Sequence, residues 1–260
     1  MYHDVVEPSD TGSSGFRGQS PNRYKLDRPL FERHLAAIAA AGRVPSSVAD
    51  LRSRARQQRP SKQRPLYITF DDGGASAARV GELLAGAGWV GHFFVPVDFI
   101  GRPGFLDRDG VAALAGMGHV VGSHSCSHQV PMTRLPEERL REEWRRSVDV
   151  LSEIIGSEVS SASVPGGYWS KRVVRSAAAS GIEVLFTSDP VVSIRNSDEC
   201  LLVGRYAILN GTSAETAVRL ARGELGPRLR QLASWKAKAV AKAVLGDAYR
   251  SLRLAWLERA

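Results

Sequence analysis

Cysteine is scarce in this chain, and long apolar runs are absent. Two cysteines among 260 residues, Cys126 and Cys200, match no metal or redox spacing and cannot form a disulfide framework. Each reads as an inert buried thiol. No apolar run approaches the roughly 20 residues that a membrane-spanning helix needs. The opening MYHDVVEPSD carries Asp4 and Glu7 and lacks the basic-then-apolar order of a secretion signal, which makes a cytoplasmic protein the expectation. Hydrophobic residues at 43% and charged residues at 24% are ordinary for a globular chain long enough to bury a sizeable core.

Most of the net positive charge sits towards the end. Residues 213–260 contribute +6 of the formal net charge of +8. No nucleic-acid motif accompanies that charge, so nucleic acid is not an expected partner. A basic helical tail with apolar residues such as Leu229, Leu232, Trp235, Val244, Leu252, Trp256 and Leu257 suits an anionic membrane surface, or else packs on the main body with its charges solvated. We therefore divide the chain into a main unit, 1–212, and a basic helical extension, 213–260. The extension would place the protein at the inner membrane face if it binds lipid.

Strands are expected over Met1–Val6, Leu66–Phe70, His92–Val97, His119–Val121, Ser160–Val164, Ile182–Thr187 and Leu201–Ile208. Helices are expected over 30–41, 76–87, 109–116, 137–155 and 171–180. The clearest is 137–155, where Leu140, Trp144, Val148, Leu151 and Ile155 repeat at helical spacing. Strands alternating with helices imply a parallel sheet or an α/β barrel, and seven strands make the barrel incomplete. Ser9–Gln19 reads as a loop and 52–64 as a polar connector. The tail reads as helices broken near Gly226–Pro227 and Gly246.

Three motifs carry chemistry. In Thr69-Phe70-Asp71-Asp72-Gly73-Gly74, an apolar strand delivers two adjacent carboxylates into a glycine turn. The C-terminal end of a barrel strand is where such folds place their chemistry. Adjacent strand residues point opposite ways, so the two carboxylates need separate tasks unless a turn begins between them. In His124-Ser125-Cys126-Ser127-His128, two histidines four apart would share one side of a helical turn. One carboxylate oxygen and two imidazole nitrogens leave coordination positions open, the catalytic pattern for zinc. In Val164-Pro165-Gly166-Gly167-Tyr168-Trp169, glycines would let a backbone N–H approach a ligand, and Tyr168 and Trp169 offer a platform for a sugar face.

The order of these motifs over about 64–190 resembles the polysaccharide deacetylases, the NodB-like carbohydrate esterases. The resemblance implies an α/β fold, an imperfect seven-stranded (β/α) barrel. It also implies a hydrolase that removes acetyl groups from N-acetylated sugars of a polysaccharide or lipid-linked glycan, with O-deacetylation open to the same machinery. It casts Asp71 as general base and Asp72, His124 and His128 as ligands of a divalent metal, zinc being the expected ion.

Two departures stand out. The family's arginine before the proline loop is replaced here by Ser163 and Val164, and no histidine follows His128 to supply the usual late general acid. Arg205 is a candidate for the arginine's space. With Gly166, Gly167 and Tyr168, it is also a candidate for the substrate and oxyanion side. Some relatives that act on biofilm poly-N-acetylglucosamine look circularly permuted and carry the acid on an N-terminal Tyr-His strand. By that resemblance His3, in Met1-Tyr2-His3, becomes the expected general acid. The rival reading is a barrel without turnover that serves as a carbohydrate-binding or scaffold protein.

Overall fold

A computed structural model describes residues 1–51, 64–197, 200–237 and 240. A seven-stranded sheet curls around one interior, in the order β3 (Ile68–Phe70), β4 (Gly91–Val95), β5 (Val120–Ser123), β6 (Ser161–Ser163), β7 (Val184–Phe186), β9 (Cys200–Val203) and β8 (Ile194–Ser197). All neighbours are parallel except the antiparallel β8–β9 hairpin. Right-handed crossovers are the rule for such parallel pairs. The connections here are α3 (Ser76–Gly86), α4 (Arg108–Gly116), α5 (Glu137–Ile155) and α6 (Lys171–Ala178).

The N-terminal segment spans the gap between the two ends of this run. Tyr2 bridges to Phe70 on β3, with Tyr2 N donating to Thr69 O and Asp71 N to Tyr2 O. On its other side, Ile208 N donates to Met1 O. Residues 1–2 thus stand as a strand-like stave between β3 and the segment that follows β9. The remainder of the expected Met1–Val6 strand turns away. Val5–Val6 (β1) pairs instead with β2 (Leu26–Asp27) in a separate two-stranded sheet. Between them lies the four-residue helix α1 (Gln19–Asn22), and α2 (Arg28–Ala40) follows β2 directly.

Period-two alternation sorts the side chains. Phe70 and Phe93 face the helices and stack at 4.9 Å, with Tyr2 stacked on Phe70 at 5.4 Å, so an aromatic row crosses three neighbouring staves. Such cross-strand aromatic pairs stabilise a sheet by about 0.2–1 kcal/mol each. Thr69, Phe94 and Phe186 face the interior. Asp71, two residues after Thr69, follows the same face towards the mouth.

Two sequence expectations shift. The strand over Leu201–Ile208 ends at Val203 because Gly204 presses against the backbone of Asp189 and Val191, where a Cβ would collide. The tail break expected at Gly226–Pro227 falls earlier. α7 (Ala214–Ala221), packed on α2, stops at Gly223 (φ 74°), and a new helix runs over 225–237 with Pro227 in its first turn. Proline is tolerated there because first-turn N–H groups have no intrahelical partner. The connector over 52–63, the break at Gly246 and the apolar residues Val244, Leu252, Trp256 and Leu257 lie outside the described residues. Among the described residues no helix is long and apolar enough to cross a membrane.

Candidate active site

Strand β3 ends at Phe70, and the turn starts between the two aspartates. Asp72 takes a left-handed conformation (φ 75°), followed by Gly73 (φ 62°), where a Cβ would crowd Val95 and Pro96. The backbone reversal sends the two carboxylates to different partners. Asp71 receives a two-pronged bond from Arg205, Nη1 to Oδ1 at 2.6 Å and Nη2 to Oδ2 at 2.8 Å. Asp72 Oδ1 stands 3.4 Å from His124 Nε2 and 3.2 Å from His128 Nε2.

Arg205 is itself fixed on every side. Its Nε donates to Thr187 O at 3.0 Å, Nη1 also reaches Thr69 Oγ1 at 3.1 Å, and its plane lies over Phe94 and Phe186. Burial is the largest single influence on the Asp71 carboxyl and would raise it, but the charge and bonds of Arg205, with His124 and His3 nearby, together outweigh it and hold that group down at about 2. Asp72 is also pushed up by burial, yet the imidazoles of His124 and His128 beside it hold it well below the ordinary carboxylate range. Both are charged at neutral pH. Arg205 therefore supports Asp71, and its bonded nitrogens face the barrel's own groups rather than the mouth.

The two histidines are not carried by a helical turn as their spacing suggests. They sit on an irregular loop after β5, in which Ser125 (φ 63°) and His128 (φ 55°) are left-handed. With Asp72, these are the only non-glycine residues of positive φ among the described residues, and all three lie at this site. Left-handed backbone in residues with a Cβ costs on the order of 1–3 kcal/mol and persists only where its surroundings impose it. The imposing group is Glu143, a buried carboxylate on α5. It accepts from Cys126 N (2.9 Å), Ser127 N (2.8 Å) and Ser127 Oγ (2.6 Å). Ser123 Oγ and Ser125 Oγ accept from Ser125 N and His128 N and complete the loop.

These donors fit a divalent cation. The ligand atoms of Asp72, His124 and His128 all lie within 4.8 Å of one another. Atoms roughly 2.1 Å from a common tetrahedral ion stand about 3.4 Å apart, close to what is seen. The tautomer makes the same point. His124 Nδ1 lies 2.9 Å from the Ser163 carbonyl, which can only accept, and 2.6 Å from Ser163 Oγ, which can accept as well as donate, so a neutral ring with its proton on Nδ1 satisfies both. Its Nε2 lone pair then faces a carboxylate oxygen, an opposition that a cation relieves, and an outer carbonyl fixing the imidazole is the usual support of a metal ligand.

His3 reaches the same mouth through the pairing of Tyr2 with β3. Its ring packs on Tyr24 at 4.5 Å, and its Nδ1 is buried with no hydrogen-bond partner. Burial lowers its pKa, while Asp72 and Asp71 pull the other way. In the proline loop, Gly166 and Gly167 are both left-handed. The Gly167 N–H is already donated to Val164 O at 2.8 Å, which weighs against it as an oxyanion donor. Tyr168 is exposed, whereas Trp169 is drawn aside by a bond from Nε1 to Asp189. The loop 7–18 adds a wall that the sequence did not announce. Phe16 packs on the His128 ring at 4.6 Å and on Phe99 and Phe105. Buried Asp4 pins that loop to the aspartate turn by accepting from Ser14 and Ser76.

No curated protein matches the sequence. Among solved structures, the chain is similar to the deacetylase PplD of Streptococcus pyogenes, solved in complex with acetate, at a TM-score of 0.70 and 17% identity over 86% of this chain and 96% of that one. It is similar to BC0361, a polysaccharide deacetylase from Bacillus cereus, at 0.69 and 20% over 84% and 67%. IcaB from Ammonifex degensii gives 0.67 and 19% over 80% and 92%. At these identities the likeness establishes the fold. The polysaccharide deacetylase family profile matches residues 58–185, the stretch that holds the two aspartates, both histidines and the proline loop. Residues 58–185 thus match the polysaccharide deacetylase family, and the fold is the one these deacetylase structures share.

Proposed function

We propose that this protein is a metal-dependent hydrolase that removes acetyl groups from N-acetylated sugars of a glycan. The observation that carries the reading is the division of the two aspartates, with Asp71 tied to a buried arginine and Asp72 facing two imidazoles. A catalytically lapsed, sugar-binding barrel has no need of that division.

Asp72, His124 and His128 would hold the ion, for which zinc suits the donor set. A bound ion of this kind acidifies water and polarises an amide carbonyl. Asp71, held ionised by Arg205, is the group that accepts the attacking water's proton. A carboxylate of such low basicity works only on water that is already acidified, so base and ligands act as one unit. Gly166 or Tyr168 offers an N–H to the developing oxyanion. His3 protonates the departing amine. The Phe16, Phe99 and Phe105 wall excludes water from one side of His128.

Acetate release tests the reading. Metal-reconstituted protein should free acetate from N-acetylated oligosaccharides, chelator-treated protein should not, and His124→Ala with His128→Ala should lose both the ion and turnover. Undiminished metal binding in that double variant would refute the site. Release from O-acetylated glycans alone would correct the bond that is cleaved.

A further inference from the structure

The basic tail offers a surface that the catalytic reading leaves unused. Leu225 and Leu229, on the helix over 225–237, are 65% and 58% exposed, and Trp235 is 42% exposed. Leu225, Leu229 and Leu232 follow i, i+4 and i+7 steps and so share a face. Val240 follows eleven residues after Leu229, and it too is exposed. Leu232 is partly covered, whereas Leu225, Leu229, Trp235 and Val240 stand exposed. A different face makes the attachment, where Pro227 is buried. Gln231 exchanges two hydrogen bonds with the Ala207 backbone (3.1 and 2.9 Å), and Arg228 donates to Tyr206 Oη (3.0 Å).

Charge tells what would cover the free face. Residues 225–237 contain Arg228, Arg230 and Lys236 and no acidic residue. Just before them, Glu224 is already paired with Arg219 at 2.8 Å, while Arg222, Arg230 and Lys236 are exposed. An apolar row flanked by exposed cations is the composition of a helix that lies in a lipid headgroup layer. A second protein copy brought to this face would meet the same cations head on.

We propose that the helix beginning at Leu225 docks on an anionic phospholipid surface. Its attachment gives the docking a consequence. Ala207 is two residues from Arg205, and Ile208 pairs with the Met1 stave that leads to His3. The helix is therefore fastened to the segment that builds the mouth. On the catalytic reading proposed above, a bilayer held there favours glycan carried on lipid over free polysaccharide.

Vesicle sedimentation tests the docking without any turnover. The full chain should sediment with vesicles of about 30% phosphatidylglycerol in phosphatidylcholine, and far less with phosphatidylcholine alone, since each cation near an anionic leaflet strengthens binding on the order of fivefold. Raising salt from roughly 0.05 to 0.5 M should release it, because the shortened screening length weakens exposed charges. Leu225→Glu with Leu229→Glu, both at exposed positions, should reduce partitioning at least tenfold with an unchanged melting temperature and unchanged acetate release from a soluble substrate.

Failure of wild type to sediment at low salt, or equal recovery of the variant, would overturn the proposal. So would a wild-type dimer that the double variant converts to monomer, which would assign the face to a second copy. Absence of acetate release with intact vesicle binding would instead strike only the catalytic reading.

Discussion

Arg205 grips Asp71 across 134 residues of sequence with two parallel bonds, and both side chains are buried. The geometry is the fork that a guanidinium presents to a carboxylate, which an ammonium cannot reproduce. Ser163 and Val164 occupy the stretch where the family's order of motifs leads one to expect an arginine, and the arginine bonded to Asp71 comes instead from after β9.

Arg205→Lys should therefore lower turnover at least tenfold while metal content stays near wild type. Arg205→Met, which leaves a buried unpaired carboxylate, should also cost about 3–5 kcal/mol of stability. Kinetics beside metal analysis and thermal melts would check both. A lysine variant with full activity would show that Asp71 needs no fixed orientation.

Glu143 makes the second prediction. Its three accepted bonds hold the loop whose left-handed residues aim His128 at Asp72. Glu143→Ala should weaken zinc binding about 10–100-fold, as removal of outer supports of metal ligands does, even though the side chain touches no ligand atom. Calorimetric titration of the apoprotein would measure it, with Glu143→Gln retaining part of the affinity because one amide oxygen still accepts. Unchanged affinity in the alanine variant would mean that Ser123 and Ser125 hold the loop alone.

Local signals were legible in the sequence, and distant ones were not. The helix Glu137–Ile155 coincides with its expected bounds because one apolar stripe repeats over five turns. The aspartate and histidine motifs stand at strand ends because hydrophobic runs delimit strands and glycines mark the turns. Glu143 escaped notice because a glutamate amid the charged residues of an amphipathic helix reads as solvated, and only the packing of α5 on β5 buries it. β8 escaped because its residues are mostly exposed, without buried alternation. The helical turn expected for His124–His128 gave way to a loop, since spacing alone cannot register a buried carboxylate that pulls two N–H groups out of helical order.

His3 carries the third prediction. The side chain stands at the mouth with an unpartnered buried Nδ1; burial favours the neutral ring, and the two aspartates favour the charged ring that a proton donor needs. If it delivers the proton to the departing amine, His3→Gln should cut turnover roughly 10²–10⁴-fold with metal content unchanged. The loss should shrink for substrates whose leaving group needs no protonation. A uniform loss across substrates would make His3 a structural part of the mouth instead.

His92 provides a test of the fold that is independent of catalysis. It is fully buried, with Nδ1 donating to Ile68 O (3.1 Å) and Nε2 accepting from Val48 N (3.1 Å), so the neutral ring satisfies both neighbours. Burial lowers its pKa to about 4, the Ile68 bond opposing, against 6.5 for an ordinary histidine. The unfolded chain therefore takes up this proton first. The stabilisation is full above about pH 6.5 and fades as pH falls towards 4, below which both states are protonated. The shift corresponds to about 3 kcal/mol at most. Asp4, raised to about 6 chiefly by burial, favours the folded state at low pH and partly masks the effect in a simple melt. The comparison must therefore be with His92→Gln. The variant should melt well below wild type at pH 7, and the gap should narrow steadily between pH 6.5 and 4. A gap independent of pH would show that the ring contributes by packing alone and that its buried protonation state is not linked to folding.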